Sequence, residues 1–160
     1  MDAISGDGSF GVVPIEQARR MDGLSLWRGL LEGRVPAPPI AKVLGFDVAE
    51  VELGRVLFAY RPLSDHYNPL GTIHGGIAAT LLDSAMGCSV HTTLAAGIGF
   101  TTLEIKVSYV RAMTDQTGPV KVEGKVINVG KRVATAEGRL IDQEGRLLAH
   151  GTTTCLIFAL

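Results

Sequence analysis

Cysteine is nearly missing from this sequence: only Cys88 and Cys155 occur. They form no CxxC pair and no zinc-knuckle spacing, so neither a disulfide framework nor a thiolate metal site is supported, and both are expected as small core residues. Excess charge is missing too. Fifteen Lys and Arg against 16 Asp and Glu leave a formal net charge of −1, with no long-range field to gather nucleic acid along a face. A nucleic-acid partner is therefore not expected. The start, Met1-Asp2-Ala3, lacks a basic region followed by an apolar one, so no secretory signal is read and a cytoplasmic location is expected. His-x-x-x-His and Glu-x-x-His spacings are absent, which removes the common metal motifs, and no metal is expected. No Gly-x-Ser-x-Gly elbow occurs either. Ser64-Asp65-His66 has the residue types of a triad but as sequence neighbours, so serine-hydrolase chemistry is not expected.

What is present is a core. At 160 residues and 46% apolar composition, the chain can bury one substantial hydrophobic centre but not two. A charged fraction of 19% is low for so small a protein and points to surface hidden by self-association. Residues 1–13 read as a loose tail. Gly6 to Gly11 formally matches GxGxxG, but a dinucleotide fingerprint needs a strand before it and a helix after it, and neither is there. From Pro14 to Leu31, Ile15, Ala18, Met21, Leu24, Trp27 and Leu31 recur at helical spacing, predicting one peripheral amphipathic helix weakened by Gly23. Arg34 to Pro39 reads as a linker, because its prolines remove donors and fix φ. The expected division is residues 1–37 as tail and peripheral helix, and residues 38–160 as the main domain.

Two β-rich runs, Phe46 to Val51 and Arg55 to Arg61, meet at Leu53-Gly54. A turn-forming loop from Pro62 to Thr72 leads into residues 75–95, apolar nearly all round, which predicts a helix buried on every side. As a membrane span it would carry Asp83 near its centre, at a cost of about 2.5–3.5 kcal/mol, so a core helix is the better reading and no membrane partner is expected. The period then switches to two over Thr102–Arg111, Val120–Val129, Val133–Asp142 and Leu147–Phe158. That spacing predicts an antiparallel meander, curled around the helix.

Asp83 is the residue most in need of explanation, since a carboxylate in a core must be paired, hydrogen-bonded or facing a cavity. Tying nearby backbone is its structural explanation; the Gly75-Gly76 pair suggests a chemical one. Glycine lets a ligand approach the backbone, and the first N–H groups of a helix are free donors at its positive end. A carbonyl docked there would be polarised, and the charge developed on attack would be stabilised. Close packing of the helix start against the sheet would use the same two glycines. Residue 83 lies about 12 Å along an α-helix from residue 75, too far for one chain to bring both groups to one carbonyl. Two chains related by a two-fold axis could. Arg111 at a strand end and Lys131-Arg132 at a turn are candidate cations for a phosphorylated ligand, or simply solvated turn charges.

At these residues the sequence resembles the hotdog-fold acyl-CoA thioesterases of the phenylacetate-pathway and 4-hydroxybenzoyl-CoA type. The resemblance is carried by Asn68, Gly71-Thr72-Ile73-His74-Gly75-Gly76, Leu81-Leu82-Asp83, Thr101-Thr102-Leu103-Glu104 and Tyr109-Val110-Arg111, and runs from about residue 38 to 158. It implies an α+β fold in which an antiparallel sheet wraps a long central helix, in dimers and commonly tetramers. It implies the Gly75 amide as the carbonyl-polarising donor and Asp83 as nucleophile or general base. Asn68 would orient the nucleophile or water, His74 would fix the loop, and Thr102 would help to hold the attacking water. Nucleotide contacts would come from Tyr109, Arg111, Gly130, Lys131 and Arg132. Coenzyme A would be part of the substrate, with no separate cofactor. The implied activity is hydrolysis of small acyl- or aryl-CoA thioesters; the alternatives are a non-catalytic acyl-CoA-binding protein and a hotdog dehydratase or hydratase.

Overall fold

The computed structural model describes residues 9–160; Gly6 and Gly8 of the GxGxxG match, and most of the expected tail, lie outside the described residues. Residues 9–11 are not loose. Ala37 N–H donates to Ser9 and Gly11 N–H donates to Ala37, so this stretch runs as a short parallel bridge beside the linker.

The expected single N-terminal helix is two. A short α1 (Ile15–Ala18) ends before Asp22, whose carboxylate caps α2 (Gly23–Leu31) by accepting the Ser25 N–H at 2.8 Å. Gly23 thus opens α2 rather than weakening its middle. A Cβ at Gly23 would stand 1.7 Å from the His91 carbonyl oxygen, so the missing side chain lets α2 dock flush. Ile15 and Leu31, placed by periodicity on the inward face, remain half exposed, whereas Leu24, Trp27 and Leu30 pack against the core.

The linker stops earlier than its prolines suggest. Pro39 begins α3 (Pro39–Leu44), where its missing N–H costs nothing, and Gly45 ends the helix in the left-handed region at φ 68°.

Six strands follow: β1 (Phe46–Glu52), β2 (Arg55–Tyr60), β3 (Ile98–Tyr109), β4 (Val120–Val129), β5 (Val133–Ile141) and β6 (Leu147–Ala159). Between β2 and β3 runs α4 (Gly75–His91). The sheet is antiparallel throughout, in the order β1-β2-β4-β5-β6-β3. The expected simple meander is therefore corrected. Of the four strands expected to form it only β4, β5 and β6 are successive neighbours, because α4 carries the chain across the sheet and delivers β3 beyond β6, leaving β2 of the β1–β2 hairpin to pair with β4. One long edge of β3 has no strand partner among the described residues.

The sheet curls round α4, which buries Leu81, Leu82, Ala85, Met86 and Val90. Each fully buried leucine contributes about 2 kcal/mol. Helix and sheet touch at Gly124, where a Cβ would lie 2.1 Å from the Ala85 carbonyl oxygen. Cys88 and Cys155 are free and buried, as core residues. This is the hotdog arrangement, a sheet wrapped around one central helix. Among the described residues no helix is long and apolar enough to cross a membrane.

Candidate active site

The helix α4 is not buried on every side as its composition suggests. Ala79, Thr80, Asp83 and Ser84 form a partly open stripe, and Gly76 at its start is exposed. Such a stripe recurs at i, i+3, i+4 and i+7 because the sheet wraps the helix from one side and stops at the unpaired edge of β3. Asp83 is consequently half-buried, with access to a cavity.

From β3, the Thr102 hydroxyl donates to Asp83 Oδ1 at 2.8 Å, so the structure brings these two residues together. Among the described residues no Lys or Arg forms an ion pair with this carboxylate, and no backbone N–H donates to it. Thr102 is its hydrogen-bond donor among the described residues. The cavity it borders, about 130 Å³, is lined by Trp27, Phe46, Phe58, Ser84, Phe100 and Thr102. In its wall, burial first and then the adjacent Asp83 charge push the Cys88 thiol well above its ordinary pKa, so this cysteine stays protonated.

The second group stands at the start of α4. His74 is the helix cap, its Nδ1 accepting the Gly76 N–H at 2.9 Å. That removes one of the two glycine amides from the donor set. The Gly75 N–H has no hydrogen-bonded acceptor among the described residues, while its carbonyl accepts from the Tyr109 hydroxyl at 3.0 Å. The loop before it is held by Asn68, whose side-chain oxygen accepts the Leu70 and Thr72 N–H groups and whose amide donates to the Thr72 hydroxyl. Asn68 in this chain thus shapes the loop that presents Gly75. The donor faces a cleft of about 290 Å³, lined by Thr72, Gly75, Tyr109, Arg111, Met113 and Leu148. Arg111 is anchored there through Nη1 to the Leu147 carbonyl at 2.8 Å.

Donor and acid therefore occupy different cavities that share no lining residue. The other candidate cations also lie apart. Gly130, Lys131 and Arg132 form the β4–β5 turn next to Val133, which pairs with Leu156 and through it with Thr101, whereas Tyr109 pairs with Ala149. Eight residue steps along the strand separate Thr101 from Tyr109, roughly 26 Å. One chain brings Tyr109 and Arg111 to Gly75, and Thr102 to Asp83, but does not bring the Lys131 turn to Arg111.

Residues 70–149, which include both glycines, Asp83, Thr102 and Tyr109, match the family model described as Thioesterase superfamily. The chain belongs to the thioesterase superfamily. It is a thioester hydrolase with the hotdog fold. A Halobacterium salinarum protein provisionally named an esterase is 30% identical over 113 residues, spanning 68% of this thioesterase and 73% of the relative. The 1,4-dihydroxy-2-naphthoyl-CoA hydrolase of Listeria monocytogenes is 21% identical over 118 residues, spanning 74% of this chain and 94% of that protein. A solved structure from Ralstonia eutropha JMP134, provisionally named a thioesterase and described as phenylacetic acid degradation-related, superposes with a TM-score of 0.74 at 28% identity, covering 82% of the thioesterase and 98% of that chain.

Sequence reasoning missed the aromatic lining of the Asp83 cavity. Phe46, Phe58 and Phe100 come from three different strands, and Trp27 comes from the helix set aside as peripheral. The lone tryptophan at an inward-facing position was the available signal.

Proposed function

We propose that this thioesterase hydrolyses small acyl- or aryl-coenzyme A thioesters at sites completed by two copies of the chain. The thioester carbonyl docks on the Gly75 amide of one copy. Asp83 of the other attacks the carbonyl carbon or takes a proton from the water that does. Charge gathers on the carbonyl oxygen and is stabilised by the N–H and the positive end of α4. The C–S bond then breaks, coenzyme A leaves as its thiol, and water supplies the oxygen of the free acid. Thr102 positions the Asp83 carboxylate, while His74 and Asn68 hold the loop that presents Gly75.

The observation that supports this reading is that the Gly75 amide and the Asp83 carboxylate lie in separate cavities, each lined by a residue of the same edge strand. Tyr109 marks the Gly75 half-site and Thr102 marks the Asp83 half-site. Two β3 edges pairing antiparallel about an axis near Ile105 and Lys106 would set Tyr109 of each copy beside Thr102 of the other. The same operation brings the Gly130-Lys131-Arg132 turn of one copy towards the Arg111 of the other. Those cations would then serve the phosphates of one coenzyme A. The 21% identical naphthoyl-CoA hydrolase supports the substrate class.

The test is hydrolysis of a panel of acyl- and aryl-CoA thioesters, followed by free-thiol release, for wild type and Asp83→Asn. General acid–base or nucleophilic participation requires a fall of at least about 100-fold in kcat in a correctly folded variant. Turnover within about tenfold of wild type would remove Asp83 from the reaction.

A further inference from the structure

Trp27 is the single tryptophan of the chain, and α2 places it in the wall of the Asp83 cavity. Its indole N–H donates to His91 Nδ1 at 3.1 Å. Its ring meets Phe58 edge-on at 6.3 Å and 89°, and Phe58 in turn meets Phe46 at 5.3 Å and 88°. On the other side His91 leans on Phe100 at 5.4 Å. Burial pushes the His91 pKa down against the opposing charge of Asp22, which keeps the imidazole neutral and its Nδ1 able to accept. The indole is thus fixed by one directional bond and an aromatic edge contact.

We infer that Trp27, held in place by His91, is the end wall of the acyl pocket and sets the upper size of the acyl group that this thioesterase accepts. The inference rests on the proposed reading that Asp83 acts at the thioester carbonyl. With the carbonyl at Asp83 and coenzyme A towards solvent, the acyl group has the aromatic cavity as its place to go, and Trp27 with Phe58 closes it. The cavity measures about 130 Å³. An engineered apolar cavity of about 150 Å³ takes up benzene, so the space fits a single ring or a straight chain of comparable volume. A longer chain would have to displace the indole and break its bond to His91. The segment before the sheet therefore belongs to the substrate site rather than to the periphery.

The experiment compares kcat/KM along a series of straight-chain acyl-CoAs and benzoyl-CoA for wild type, Trp27→Ala, Trp27→Phe and His91→Ala. Wild type should lose at least about tenfold between hexanoyl- and decanoyl-CoA, and Trp27→Ala should raise the decanoyl-to-hexanoyl ratio by about tenfold or more. Trp27→Phe should fall between them, and His91→Ala should move the ratio the same way by a smaller factor. A merely structural tryptophan would lower all substrates together and leave the ratio alone. A second readout needs no turnover: the emission of Trp27 on adding a benzyl thioether of coenzyme A, which has no carbonyl to cleave, with occupancy followed by calorimetry. An emission change on binding, even in a protein that cleaves no thioester, supports the wall and places the failure in the proposed reaction. An unchanged ratio in Trp27→Ala, unmoved emission at saturation, or no binding of the thioether overturns the inference.

Discussion

The Gly75 amide can be deleted almost without touching the backbone, which makes its role measurable. It is the first residue of α4, and His74 before it has φ −58° and ψ 135°. Proline suits such a position, since its ring fixes the helical φ and the N–H it lacks is one the helix does not use. The residue before a proline must be extended, and His74 already is. A Cβ at Gly75 would approach Tyr109 Cζ to 3.1 Å, so the exposed phenol ring must give by a few tenths of an ångström in any variant. Gly75→Ala therefore serves as the control. It carries the same Cβ, keeps the N–H, and should gain roughly 0.5–1 kcal/mol of helix stability over glycine. Gly75→Pro should match it in fold and thermal midpoint but lose about 10²–10³ in kcat, or about 3–4 kcal/mol, the usual consequence of removing one oxyanion donor. Because the interaction strengthens as charge develops, kcat and kcat/KM should fall together with KM little changed. Free-thiol release measures both. If Gly75→Pro keeps kcat within about tenfold of Gly75→Ala, the amide is not the polarising donor.

Thr102→Val keeps the volume but removes the hydroxyl bonded to Asp83; kcat should drop about 10–100-fold, and Thr102→Ser should restore most of it, as read by thiol release. Asp142 should govern acid stability. Burial pushes its carboxyl up, but the side-chain bond from Arg146 at 2.7 Å, the Arg146 and Glu144 N–H groups and the Arg146 charge outweigh this and hold it below the usual range. Its contribution is therefore present above the unfolded value, near pH 4, and lost as pH falls through the lower folded value. Urea midpoints taken from pH 7 downwards should fall more steeply for wild type than for Asp142→Asn; parallel curves would remove Asp142 from the acid response.

Residues with strong local signals were legible in the sequence. The apolar run from Gly75 reads better as a core helix than as a membrane span because of Asp83, the period-two runs became β4, β5 and β6 almost to the residue, and Leu53-Gly54 is the β1–β2 turn. Asp83 stood out because a carboxylate in such a helix needs a reason, and its contact with Thr102 connects two segments singled out separately. Pairing was not legible. Alternation says which face of β3 points inward but not that its partner is β6, because that depends on where α4 releases the chain. The helix α3 was hidden by its prolines, although Pro39 followed by an apolar turn and Gly45 is a start and stop signal of its own. The half-exposure of Asp83 could not be read either, since a helix apolar all round does not reveal which side the sheet leaves open. The role of Trp27 was concealed by sequence distance: it reaches the cavity only because Gly23 lets α2 lie against the end of α4.

The claim that everything turns on is that each catalytic set is shared between two chains, and subunit complementation tests it most directly. Asp83→Asn and Gly75→Pro should each be inactive alone. Refolded together in equal amounts, half of the dimers should be mixed, and each mixed dimer should hold one site with both lesions and one with none. Turnover should then recover to about a quarter of the wild-type value per chain. Recovery no greater than the sum of the two separate variants, with mixed dimers demonstrably formed, would place donor and acid on the same chain and contradict that claim.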